Sequence, residues 1–123
     1  MRVKLYDKNI PYTFKYGPGV IESAVENFNK NESKGLLVHF GEADGQGDLS
    51  NIVGTANKIE LDNEGNLWGD IQLLDTSQGK LIKELLDFDK DSISFQAYGL
   101  GRMINEEIID YEITGVVVAP KHE

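Results

Sequence analysis

The chain has 123 residues, with 21 acidic and 12 basic side chains and a formal net charge of -9. An acidic surface without a basic cluster repels phosphate backbones, which excludes nucleic acid as a direct partner. No cysteine is present, so disulfides, thiolate zinc sites and cysteine nucleophiles are excluded, and no apolar run approaches the ~20 residues of a membrane helix.

Length predicts a single domain over 1–123, large enough to bury a core. Met1-Arg2-Val3-Lys4 lacks the apolar segment of a signal peptide, so the expectation is a soluble, intracellular protein with no membrane partner. Val3 and Leu5 alternate with charged neighbours and predict a first strand. Ile10 to Tyr16 alternates again and ends at Gly17-Pro18-Gly19. Val20, Ile21, Ala24, Val25 and Phe28 recur at helical spacing, which predicts an amphipathic helix over 19–30. Leu36-Leu37-Val38-His39-Phe40 reads as a compact strand. Gly41 to Ser50 is a loop rich in glycine and acid.

Ile52 to Leu61 and Leu67 to Leu74 read as a hairpin around Asp62-Asn63-Glu64-Gly65, with a bend at Gly54. Thr76 or Ser77 caps a second helix whose stripe is Leu81, Ile82, Leu85 and Leu86. Asp89 to Gly99 then carries a strand with unlike faces. Ile93, Phe95 and Ala97 point to a core, and Ser92, Ser94 and Gln96 point away. Met103 to Glu106 is a turn, and Ile108 to Val118 a last strand ending at Pro120. The fold class is α+β. The pattern gives a mostly antiparallel small β-barrel or sheet with two packed helices, because the element order does not suit a doubly wound parallel sheet.

Only two histidines are present, and His122, one residue from the end of the sequence, is expected to be a poor catalytic candidate. His39 is therefore the candidate base for a serine nucleophile, with a partly buried structural histidine as the alternative. Glu112, with Asp110 as alternative, could orient it, or both could be solvent-facing strand residues. The acidic loop Glu42 to Asp48 fails as a calcium loop, since Gln46 and Val53 occupy ligand positions. No dinucleotide fingerprint or zinc ligand set is present, so no metal or cofactor is expected.

Five pieces occur in one order: Gly19-Val20-Ile21-Glu22-Ser23-Ala24-Val25, Leu37-Val38-His39, Gly65 to Ile71 with Leu73 to Lys80, Ile93 to Gly99, and Ile113 to Pro120. Together they resemble the prohead (capsid maturation) proteases of tailed phages, relatives of the herpesvirus assemblin serine proteases. The resemblance implies a herpesvirus-protease-like fold and a serine endopeptidase without cofactors. Phage capsid and scaffold proteins would be its substrates, inside the assembling prohead in the host cytoplasm, with a homo-oligomer allowed. It maps His39 onto the family's histidine and Ser94 onto the nucleophile, with Ser92 as the alternative and Glu112 or Asp110 as the third group. Phe40 stands where one branch has proline, Gln96 where that branch has arginine, and Gly115 where another branch has aspartate. These departures raise a second expectation, an inactive protease-fold structural or interaction protein of the phage head.

Overall fold

The computed structural model describes residues 1–8, 15–30, 35–40 and 51–120. The elements are β1 (Arg2–Tyr6), β2 (Lys15–Tyr16), α1 (Val20–Lys30), β3 (Leu36–Phe40), β4 (Ile52–Leu61), β5 (Leu67–Leu73), α2 (Ser77–Phe88), β6 (Ile93–Ile104) and β7 (Glu107–Pro120). The predicted stretch 10–14, the acidic loop and its calcium test, and His122 lie outside the described residues.

Alternation and helical spacing account for most of these elements. Val20, Ile21, Ala24 and Val25 are the buried stripe of α1. The β4–β5 turn is held by Asp62, whose Oδ1 accepts from the backbone N–H of Glu64 and of Asn66, each at 2.9 Å. Its Oδ2 accepts from Trp68 Nε1 at 2.8 Å. The Trp68 bond, followed by the backbone bonds, holds this carboxyl below its ordinary value. Gly65 supplies the positive φ of 85° that the turn needs. Thr76 caps α2, its hydroxyl accepting from Gly79 N–H at 3.1 Å. Of the predicted stripe, Ile82 is fully buried and Leu85 and Leu86 partly so, whereas Leu81 is 46% exposed. The helix seats on the sheet along a narrow line, and Leu81 falls off its flank.

The strands form one curled, mixed sheet in the order β1-β5-β4-β3-β7-β2, with β6 on the other side of β7. Pairing is antiparallel from β1 through β5 and β4 to β3, and between β6 and β7. β7 runs parallel to both β3 and β2. The expectation of a mostly antiparallel sheet is corrected at β7. The chain crosses over through β4, β5, α2 and β6 before β7 returns beside β3, the long connection that parallel pairing requires. The sheet curls into a half-barrel rather than a closed barrel. Leu5, Ile21, Val38, Val53, Ile59, Leu67, Ile82, Phe95, Val116 and Val118 share the enclosed core. The β3–β4 register shifts between Val38 and His39, beside the predicted bend at Gly54.

Candidate functional site

The candidate site lies on the side of the β3-β7-β6 strip that faces away from the core. Val38, Val116, Val118 and Phe95 point inward, none more than 7% exposed. Strand alternation therefore turns His39, Val117, Ala119, Ser94 and Gln96 outward. His39 is level with Val117, and Val117 is level with Gln96. His39 and Ser94 thus share one face, and Ser94 and Gln96 are exposed as their alternation predicts.

The strip does not make His39 and Ser94 neighbours. β7 runs between their strands, so the backbones stand about 10 Å apart, two strand spacings. Ser94 is level with Ala119, a further pair of residues along, which adds an offset of about 7 Å. A catalytic hydrogen bond of about 2.6–3.2 Å would require both side chains to lie flat across β7 toward each other. Among the described residues no hydrogen bond joins them. The imidazole sits instead against Tyr98, with ring centroids 6.0 Å apart and tilted by 54°.

Gly115 makes that contact possible. It is level with Tyr98 on β7, and a Cβ there would run into the Tyr98 ring. The bare backbone lets the phenol lie across β7 to reach β3. Burial pushes the Tyr98 phenol above its ordinary value. Just beyond, Gly99 pairs with Ile113, which leaves Thr114 as an extra residue on β7. This bulge switches the alternation, so that Ile113 faces the core together with Val116, three positions on.

The candidate acids stand farther away. Glu112 pairs with Leu100, about four residue steps or ~13 Å along the strand from the level of His39. Asp110 is held by Arg102, accepting from its Nε at 2.6 Å and from its backbone N–H at 3.2 Å. Arg102 keeps the Asp110 carboxyl below its ordinary value. Ser92 precedes β6 rather than sharing its outer face. Its hydroxyl donates to the Leu85 carbonyl at 3.2 Å, closing the end of α2. The expected outward Ser92 is corrected: the chain is still turning there, with Ser92 N–H bonded to Asp89 O at 2.9 Å.

Tyr98 is the residue that pattern reasoning passed over. It lies on the same alternating face as Ser94 and Gln96, and only the pairing with Gly115 reveals its reach. Among the described residues no group of three or more acidic, histidine or cysteine side chains is placed to hold a metal. No family model, characterised protein or solved structure matches the chain.

Proposed function

We propose that the chain is a protease-fold structural or interaction component of a tailed-phage head, acting by binding rather than by peptide cleavage. The herpesvirus-protease-like fold and the phage-head setting rest on the resemblance of the five ordered sequence pieces. The observation that carries the inactive reading is the partner of His39. Tyr98 occupies it across Gly115, Gln96 stands level with it on β6, and Ser94 lies a diagonal step away beyond β7. A serine hydroxyl without a base in reach is a weak nucleophile. The chain is expected to remain in mature particles at fixed stoichiometry and to leave a fluorophosphonate probe unreacted. Labelling at Ser94 that disappears in His39→Ala overturns this reading.

One observation favours a second reading, the serine endopeptidase that cuts scaffold and capsid segments. His39 and Ser94 share an open face above a tightly buried layer. In that reading a bound substrate draws the two together. Ser94 attacks the peptide carbonyl, and His39 takes its proton and returns it to the leaving amine. Glu112, or else Asp110, orients the imidazole. Hydrolysis uses no cofactor. Incubation with the cognate capsid and scaffold proteins decides between the readings. Cleavage that falls roughly 10⁶-fold in Ser94→Ala and equally in His39→Ala establishes the enzyme.

A further inference from the structure

Beyond Tyr98, β6 and β7 run on as an arm over residues 99–112, turned at Asn105 and Glu106. The sheet curls so that β1, the first strand of its order, lies alongside β6. Ladder hydrogen bonds do not cross there: among the described residues β1 pairs with β5, and β6 pairs with β7. This seam is where the half-barrel stays unclosed. The ladder and the charged side chains of β1 tie it to its own wall. Arg2 is paired with Glu60 on β4, and Arg2 and Lys4 stand over the Trp68 ring of β5 at 5.6 and 5.5 Å from its centroid.

Tyr6 reaches the other way. Strict alternation would turn it away from the face of Leu5, but the register shifts between Lys4 and Tyr6, and both side chains pack on the core. The Tyr6 ring meets Tyr16 on β2 edge to face, with centroids 5.4 Å apart. Tyr16 meets Tyr111 on β7 in the same way at 5.3 Å. β2 is fixed to β7 by its short parallel pairing and by the Gly17 N–H, which donates to Ile108 O at 2.8 Å. Burial, and then the neighbouring Tyr16, push the Tyr111 phenol well above its ordinary value, which keeps it neutral inside the row. The row thus joins β1 to β2, the two ends of the strand order, where no ladder among the described residues does so. Edge-to-face ring pairs are individually weak, so a joint made of them is reversible. We propose that Tyr6, Tyr16 and Tyr111 form a latch that holds the sheet curled, and that its release opens the half-barrel along the β1–β6 seam. The latch does not depend on whether the His39 face is catalytic.

The test uses the whole chain with paired spin labels, read as distance distributions by pulsed electron resonance. The chain has no cysteine, so labels go only where they are placed. Lys4→Cys with Met103→Cys spans the seam, and Gln96→Cys with Met103→Cys is a control pair within β6; all of these positions are exposed. In the parent the seam pair is expected to give one dominant short distance. Tyr16→Leu removes the middle ring and should raise a longer-distance state about tenfold, while the control pair stays unchanged. Tyr16→Phe keeps the ring and should behave as the parent. Circular dichroism reports whether the fold is kept, and Tyr6→Leu, at the end of the row, is the milder variant that keeps the test decisive if Tyr16→Leu does not fold. An unchanged seam distance in a folded Tyr16→Leu or Tyr6→Leu protein overturns the proposal. So does a parent distribution already as broad as theirs. A control pair that changes as much as the seam pair also overturns it, because the row is then ordinary core.

Discussion

From Ile93 to Ala97, β6 pairs with the part of β7 that also pairs with β3, over Val116 and Val118 at no more than 1% exposure. From Gly99 to Ile104 the same two strands run on without β3 beside them, and Leu100, Met103, Ile104 and Ile109 face water. The near end pairs in regular register, whereas the far end carries register shifts after Tyr98 and after Arg102. Backing differs, and it decides what each end can do. The near end holds outward side chains in fixed register, as a site requires. The far end carries exposed apolar side chains beyond the reach of β3.

The sharpest way to break this comparison is to remove the backing. Phe95→Ala should cost about 3–5 kcal/mol of global stability, through lost burial and the cavity left behind. Leu100→Ala, five positions along the same strand (100 minus 95), should stay within about 0.5 kcal/mol of the parent. Urea unfolding measures both. Equal costs would mean that the arm is packed in solution and that the contrast is not real.

Gly115→Ala comes next, at about 1–3 kcal/mol, because the new methyl group displaces the Tyr98 ring from β7. The cost should largely vanish in a Tyr98→Ala background, since the clash is specific to that ring. The ring-current shift of the His39 imidazole protons, read by NMR, should disappear in Tyr98→Ala and change in Gly115→Ala. If the double variant keeps the full penalty, Gly115 serves the backbone near the Thr114 bulge rather than Tyr98.

Those residues also show where the sequence stops being informative. The strand Leu36–Phe40, the helix Val20–Lys30, the β4–β5 hairpin and the Thr76 cap follow from period, turn chemistry and capping, all local properties. The outward face of Ser94 and Gln96 is local too, because alternation fixes it. The parallel pairing of β3 with β7 is not local, since it depends on where a long crossover lands. The separation of His39 from Ser94 inherits that dependence: two outward side chains look equally ready for chemistry whether their strands adjoin or have another between them. Ser92 looks like the outward partner of Ser94 only if the strand begins before it. The turn from Asp89 to Ser92 that closes α2 prevents that. The Thr114 bulge likewise shifts the outward set by one residue, which no single-strand pattern announces.

The two serines give a smaller test. Ser92→Ala should cost about 1 kcal/mol, the usual value of a partly buried hydrogen bond, here the one to Leu85. Ser94→Ala should change stability by less than about 0.5 kcal/mol, because the side chain is exposed. Thermal melts of the pair separate a helix-closing hydroxyl from a free one. A costly Ser94→Ala would show that its hydroxyl has a structural partner.

The smallest expected effect is electrostatic and local. Asp62 lies in the β4–β5 turn beside the core, and Asp110 lies on the arm. Both carboxyls sit below the ordinary aspartate value of 3.8, Asp62 chiefly through Trp68 and Asp110 chiefly through Arg102. A carboxyl whose folded value is lowered contributes stability in full above its unfolded value. That contribution is lost as pH falls through the lowered folded value. Both contributions should therefore be present in full at neutral pH, and their loss should emerge below about pH 4. Trp68 is the sole tryptophan, so the part of its fluorescence change that Asp62→Asn removes reports on Asp62. Amide exchange at Arg102, whose N–H donates to Asp110, reports on the arm. In acid the Arg102 amide should lose protection while the β4–β5 turn holds its backbone, because Arg102 and Asp110 are exposed whereas the turn is also held by backbone bonds. Salt should weaken the Arg102–Asp110 pair and leave the Trp68 bond nearly unchanged, since exposed ion pairs are screened. Asp62→Asn should reduce the acid response of Trp68, and Asp110→Asn should erase that of Arg102. An Arg102 amide that stays protected in Asp110→Asn at every pH would mean that the arm is held by something other than this pair.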